Sequence, residues 1–493
     1  MTRVDTSKPG SFGSRVWRLI YPPVSALLFG LYPVLYFYHK NVSLVLFSSF
    51  WRILVIYLVL ILLVYLICLL LTRRNAIKAA NAASVFLLFF NTYGIFYRFL
   101  LEKDLVAARH YTLLPLYIFI AIYLAWGVTR LKKRDSLTVW RATALIFGVF
   151  TVVGIIGIIP VEVEKSRRQQ AQYVPEEIVN PASSENYPDI YYLIFDEFTG
   201  LKAMREYWKA PEVEPFKAYL KDKGFYVIED SHGTSTATLH QMSIRLNYTQ
   251  YPDLKNKEEE YYELIASNKV MSYLKSKGYT TVVFDEVSWL YPTMPTIHAD
   301  YLYELDPSDN SDFGMIFDDF GVLITDNTMF YALSQYYQLE DFGYRPHRNM
   351  ILSTVERVGN MQDVASPKFI YSHLMIPHRP YLFDAQGNAV DSEFYRNWDY
   401  YQGYWVYATG IIEQMVENIL ADADPQNPPV IILQSDHGAR LHRDGYTFDY
   451  QSNILYAVYM PGFDTSTLSQ DENPVNTFPL IFNHYFGENI MLR

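Results

Sequence analysis

Five apolar runs in the first third of the chain limit what the rest can be. They lie near residues 17–38, 50–71, 79–100, 111–130 and 140–161. Each is about 20 residues long, the length a helix needs to cross the hydrocarbon core of a bilayer. Basic residues fall on alternate connections. Arg3, Lys8, Arg15 and Arg18 lie before or at the very start of the first run, and Arg73, Arg74 and Lys78 separate the second from the third. Arg130, Lys132, Lys133, Arg134 and Arg141 surround the connection from the fourth to the fifth. The positive-inside rule then keeps the N-terminus in the cytoplasm, and five crossings place everything after residue 161 on the outer face. The first run lacks a small-residue cleavage site and four more follow it, so it reads as an anchor and not as a removable leader. Asn91 and Arg98 are the notable polar residues within the runs. They suit a path for a lipid headgroup, or more plainly an Asn packed in the bundle and an Arg reaching for the interface.

The charge is divided in the same way. Through residue 163 the chain carries a net +12, and the remainder carries −23, together the −11 of the whole. An outer part this acidic repels nucleic acid, so that partner is discounted. The single cysteine, Cys68, lies inside an apolar run and excludes both an internal disulfide and a thiolate metal site. Residues 164–187 are polar, with two prolines, and read as a linker. Within it Lys165, Arg167 and Arg168 are candidates to rest on anionic headgroups.

From residue 188 onward, β-rich and helix-like stretches alternate. "DIYYLIF" (189–195), "YTTVVF" (279–284), "PKFIYSHL" (367–374), "PPVIILQ" (428–434) and "ILYAVYM" (454–460) are separated by helical segments. This alternation predicts a largely parallel sheet with helices on both faces, and ligands gather beyond the carboxyl ends of such strands. Four motifs fall there. Asp196 and Glu197 follow the first strand, and "GTSTATLHQMS" (233–243) is a hydroxyl-rich turn entering a helix. "YSHLMIPHRP" carries His373 and His378 past a third strand, and "VIILQSDHGAR" (430–440) ends in Asp436 and His437. An acid beside an imidazole at a strand end suits a metal, although acids there also serve as helix caps and Ser/Thr clusters as ordinary turns. A hydroxyl at a helix start is well placed for attack, because helix-terminal N–H groups and a bound cation both stabilise its alkoxide.

In this order the motifs resemble the sulfatase-like branch of the alkaline phosphatase superfamily. With five spans in front, the whole chain resembles lipoteichoic acid synthases and phosphoethanolamine transferases. Those families carry an acid after the first strand, a Thr nucleophile, a His-x4-His-x-Pro segment and an Asp-His pair. The corresponding residues are Asp196, Thr238, His373/His378/Pro380 and Asp436/His437. The resemblance implies five spans over residues 1–163, a linker over 164–187 and an alkaline-phosphatase-like α/β domain over 188–493. It implies one divalent ion, Mn or Zn, on Asp196, Thr238, Asp436 and His437. His378, His373 or His442 would protonate a leaving oxygen or bind phosphate. The implied reaction moves a phospho-group from a membrane phospholipid to a glycan or lipid acceptor through a phospho-threonine, on the outer face of a bacterial cytoplasmic membrane. Hydrolysis of an envelope ester is the alternative, and a non-catalytic binding module the more distant one. The formylglycine motif of true sulfatases is missing from "TLHQMSIR", and the further Asp-x-x-x-His pair of two-metal relatives is not found. Thr234, Thr236 and Thr238 all stand in the turn. Thr238 is preferred because its distance to "LN" (246–247) resembles related chains, with Thr236 next.

Overall fold

The computed structural model describes residues 22–42, 45–103, 109–170, 187–249, 257–286, 297–303, 318–337, 339, 341–391 and 394–493. Most of the expected linker, and residues 1–21, which include the start of the first expected span, lie outside these. The chain divides into two compact units. One comprises residues 1–167 together with 310–343, the other 168–309 together with 344–493.

The first unit is helical: α1 (Val24–Lys40), α2 (Phe47–Leu71), α3 (Ala76–Phe90), α4 (Tyr93–Glu102), α5 (His110–Thr129) and α6 (Lys133–Gln170). Among the described residues four stretches are long and apolar enough to cross a membrane: Phe47–Leu71, Ala76–Leu101, His110–Thr129 and Lys133–Val163. The 17-residue α1 covers the described part of the first expected span. Some polar groups inside the bundle are paired. The Asn81 amide donates to the Ser136 carbonyl at 2.8 Å, and the Tyr57 hydroxyl donates to Asn91 Oδ1 at 3.4 Å. Lys165 does not face headgroups. Its ammonium is buried, donates to the Val42 and Val45 carbonyls at 2.9 and 2.7 Å and pairs with Glu162 at 2.5 Å. It thereby satisfies backbone acceptors in the connection between α1 and α2.

The third expected span is broken at Asn91–Thr92, between α3 and α4. Residues 310–343, read from sequence as part of the outer domain, belong to this helical unit. They carry α8 (Asp319–Thr325) and α9 (Tyr331–Tyr337), numbered after α7 (Thr238–Leu246) of the second unit.

The second unit is an α/β domain. Its strands are β1 (Ile190–Phe195), β2 (Tyr226–Val227), β3 (Thr280–Asp285), β4 (Tyr301–Tyr303), β5 (Lys368–Leu374), β6 (Val430–Ser435) and β7 (Tyr456–Tyr459). The sheet order is β2-β7-β6-β1-β5-β3-β4, parallel except where β7 runs against β2 and β6. Strands β1, β5 and β6 are buried along their whole length, as parallel strands covered on both faces must be. The two faces follow the period of 2. Tyr191, Leu193 and Phe195 pack with Ile370, Leu374, Ile431 and Leu433 on one side. Ile190, Tyr192 and Ile194 pack with Phe369, Tyr371, Val430 and Ile432 on the other, where Met242 and Leu246 of α7 cover them.

Candidate active site

Strand register assembles the site. β1 lies between β5 and β6, with Phe195 level with Leu374 on one side and Ser435 on the other. Asp196 continues the 190-192-194 series, Asp436 the 430-432-434 series and His373 the 369-371 series. All three therefore fall on the face that α7 covers. A ligand atom from each of Asp196, His373 and Asp436 lies within 4.8 Å of the others. His373 Nε2 is 3.3 Å from Asp196 Oδ2. His373, read from sequence as an acid or phosphate binder, thus stands among the carboxylates.

α7 begins at Thr238, after Ala237 in an extended conformation. The Thr238 hydroxyl lies 3.5 Å from Asp196 Oδ2 and 3.4 Å from His437 Nε2. Its position in the first turn sets it at the positive end of the helix, among N–H groups with no intrahelical acceptor. The other two threonines of the turn are placed differently. Thr234 Oγ1 accepts from the buried Gln241 amide at 3.3 Å, while Thr236 makes no hydrogen bond among the described residues.

Hydrogen bonding polarises the ligand groups. Asp436 Oδ1 accepts two backbone N–H groups, from Glu197 at 3.0 Å and His437 at 2.8 Å, whereas Oδ2 accepts none. His437 Nδ1 is 2.8 Å from the Gly438 carbonyl. A carbonyl only accepts, so Nδ1 carries the hydrogen and the lone pair of the neutral ring sits on Nε2, facing Thr238 and Asp436 Oδ2. Gly438 completes the turn because a side chain would not fit. A Cβ there would come within 3.0 Å of three carbonyl oxygens of residues 450–453.

Asp196 Oδ1, Glu197 Oε2 and Asp436 Oδ2 are buried and accept no hydrogen bond. Two carboxylates, Asp196 and Asp436, gathered out of water with oxygens that accept no hydrogen bond are costly unless a cation joins them. Burial pushes the Asp196 carboxyl up, but its electrostatic interaction with His378, its hydrogen bond to His373 and its interaction with His437 outweigh it and hold the carboxyl below its usual range. The oxygen and imidazole donors fit a divalent ion such as Mn²⁺ or Zn²⁺.

Beside this cluster, Glu197 holds a left-handed backbone (φ 59°), a conformation its side chain disfavours, and the Tyr401 hydroxyl donates to its carbonyl at 2.8 Å. Its Oε1 accepts the Arg440 N–H at 2.8 Å, and its Oε2 is 3.9 Å from His378 Nε2. His378 Nδ1 donates to the Arg379 carbonyl at 2.5 Å, and Nε2 accepts from the Arg440 guanidinium at 2.9 Å. His442 is exposed and makes no hydrogen bond or ion pair among the described residues.

Two groups escaped the sequence reading. His347 is buried, and burial, with its electrostatic interactions with His378 and Arg348, lowers its pKa to about 3. Arg245 is fully buried and donates to the Ser435 carbonyl at 2.6 Å, the Asp436 carbonyl at 2.9 Å and Gln241 Oε1 at 3.2 Å. It lies seven residues after Thr238, two turns along the same helix face, and that spacing was the available signal.

No family model matches the chain, and no curated protein matches it. Solved structures do. The integral membrane lipooligosaccharide phosphoethanolamine transferase A (EptA) from Neisseria meningitidis is 13% identical, covering 93% of this chain and 95% of its own, with a TM-score of 0.40. The C-terminal periplasmic domain of EptC from Escherichia coli, in complex with Zn, is 13% identical, covering 62% and 84%, with a TM-score of 0.37. A 2-O GAG sulfatase is 10% identical, covering 62% and 72%, with a TM-score of 0.39.

Proposed function

We propose that the protein is a metal-dependent phospho-group transferase of the outer membrane face, with Thr238 as its nucleophile. The observation that carries this reading is the Thr238 hydroxyl, within 3.5 Å of both Asp196 and the lone-pair nitrogen of His437, at the start of a helix. Asp196, Asp436, His437 and the Thr238 oxygen would hold the ion, and His373 is placed to join or replace one of them. A bound divalent cation would supply positive charge that lowers the pKa of a hydroxyl and neutralises phosphate oxygens.

The protein's own groups account for the rest. Thr238 gives up its proton and its oxygen bonds to phosphorus. The bond from phosphorus to the donor lipid breaks, and the lipid oxygen takes a proton. Arg440, hydrogen-bonded to His378, presents positive charge for the phosphate oxygens. An acceptor hydroxyl on a glycan or lipid then displaces Thr238, whose oxygen recovers a proton. Water in place of that acceptor makes the same site a hydrolase. The spans would hold the site where donor lipid is concentrated, in a bacterial cytoplasmic membrane with the α/β domain outside.

Incubation of the full chain with phospholipid and divalent ion, followed by peptide mass analysis, is expected to find the phospho-group on Thr238. Thr238→Ala is expected to lower turnover by orders of magnitude, as removal of a covalent route does. A phospho-group mapped to Thr236 would move the nucleophile. Full activity of Thr238→Ala would overturn its assignment. A modified acceptor in the products indicates transfer, and free phosphoester hydrolysis.

A further inference from the structure

We infer that residues 318–337, which interrupt the α/β domain in sequence, form a membrane-seated element spliced into the broken third span, with its aromatic face in the lipid interface. The inference stands apart from the catalytic reading and uses none of its residues.

The splice is visible in the backbone. In a continuous helix the Gly94 N–H would bond to the Phe90 carbonyl, four residues back. Instead Gly94 N–H donates to the Asn327 carbonyl at 3.2 Å, and the Phe90 carbonyl accepts the Met329 N–H at 2.9 Å. One helical hydrogen bond has been opened and each half given to the returning chain. Broken backbone is tolerated at membrane depth only when its polar groups are satisfied again, and here the return segment satisfies them.

Side chains secure the exchange. Arg98 donates to the Asp326 carbonyl at 2.6 Å and to Asn327 Oδ1 at 2.8 Å, so this span arginine is neither a headgroup path nor a simple interfacial anchor. Gly94 is required by the close approach, since a Cβ there would lie 1.8 Å from the Asp326 oxygen. Phe320, Ile324, Met329 and Ala332 are buried in one cluster with Tyr38, Phe50, Phe90 and Tyr93 of the spans. Tyr331 sets its edge 5.3 Å from His110, which stacks on Tyr97 at 3.8 Å. The rings it meets, Tyr38 and Phe50 against Phe320 and Tyr97 and His110 against Tyr331, lie in the last turn of α1, the first turn of α2, in α4 and at the start of α5.

What the element leaves outside is apolar. Phe330, Leu333, Tyr336 and Tyr337 are 41, 46, 78 and 62% exposed. Phe330 packs edge-on against Phe90 at 5.1 Å. The neighbouring span presents Leu88, Ile95, Phe96 and Phe99 in the same exposed state. The patch therefore continues the lipid-facing surface of α3 and α4. Two adjacent tyrosines, with an apolar ring and a polar tip, suit the headgroup level of a bilayer. The partner this surface fits is the lipid interface.

The test uses the full chain in vesicles of phosphatidylcholine and phosphatidylglycerol. Cys68 is the only native cysteine, so Cys68→Ser gives a blank background. Leu333→Cys and Tyr336→Cys carry an environment-sensitive fluorophore, and the exposed Asp471→Cys is the aqueous control. Nitroxide lipids are expected to quench the labels at 333 and 336 at least threefold more than the label at 471, with aqueous iodide giving the reverse order. Gly94→Ala and the milder Arg98→Gln are expected to shift both labels toward the control. Iodide quenching at 333 and 336 equal to that at 471, without lipid quenching, would overturn the seating. Lipid quenching unchanged in both variants would overturn the splice.

Discussion

Arg245→Met separates the stability of the α/β domain from the geometry of its site. The substitution leaves three acceptors without their donor, the carbonyls of Ser435 and Asp436 and Gln241 Oε1. Stranding buried acceptors costs about 1–3 kcal/mol each, so roughly 3–9 kcal/mol opposes the change. Against this, no carboxylate is among the guanidinium's hydrogen-bond partners, so removing it recovers a desolvation penalty of several kcal/mol. The two contributions are of similar size, and the net loss of stability is expected to be about 0–3 kcal/mol. Geometry has no such offset. One side chain ties the helix that carries Thr238 to the strand end that carries Asp436 and His437. Releasing it frees the carboxylate to turn away, and loss of such outer support typically weakens metal binding or activity about 10–100-fold. The assay is zinc titration of the full chain in detergent beside its thermal unfolding. Arg245→Lys keeps the charge and loses the two-pronged geometry, so its zinc affinity should also fall. Zinc affinity within twofold of the parent in both variants would refute the reasoning.

Four further outcomes are expected. Asp436→Asn and Asp196→Asn should each abolish zinc binding measured by calorimetry, since each contributes one of the unpaired buried oxygens. Burial raises the Glu229 carboxyl but hydrogen bonds from Lys217 and Arg205 lower it further, so its contribution is present above the unfolded value of about 4.3 and is lost as pH falls through the folded value. Urea unfolding should therefore show Glu229→Gln less stable than the parent at neutral pH, with the difference closing in strong acid. Expression of 188–493 alone should yield aggregates by light scattering, because Phe320, Ile324 and Met329 lose roughly 5–9 kcal/mol of burial, and a short Gly/Ser linker in place of 310–343 should restore a monodisperse domain. Protease added to intact spheroplasts should cut the α/β domain, and protection until lysis would contradict the outward topology.

Much of the candidate site was legible because a parallel sheet converts sequence parity into position. Once β1, β5 and β6 are adjacent, alternate residues share a face, and Asp196, His373 and Asp436 fall together with no reference to their chemistry. Parity in fact argues for His373 as a neighbour of the carboxylates, where motif order suggested proton transfer. His442 shows the converse. It follows the Asp-His pair closely in sequence, but five residues of non-repeating backbone after His437 carry no period from which its direction could be read. The short β2 and β4 were missed because two or three residues give no periodicity at all.

The return segment was illegible for a different reason. Its sequence from Asp318 to Tyr337 has the composition of an ordinary surface helix pair, too short and too polar to read as membrane-bound. What makes it part of the helical unit is a hydrogen-bond exchange with residues more than 200 positions earlier, and no local window contains both halves. The marks in the span itself were visible but ambiguous. An Asn, a Thr, a Gly and an Arg within eight residues, from Asn91 to Arg98, weaken a helix whatever the cause. A headgroup path and a snorkelling arginine each explain one of these residues. The exchange explains three together: Thr92 lies in the break, Gly94 admits the Asp326 carbonyl and Arg98 binds the carbonyl and side chain that follow. Polar residues that interrupt an apolar span are thus better read as a set with a common partner than one at a time. Here that partner had to be supplied by the other half of the chain.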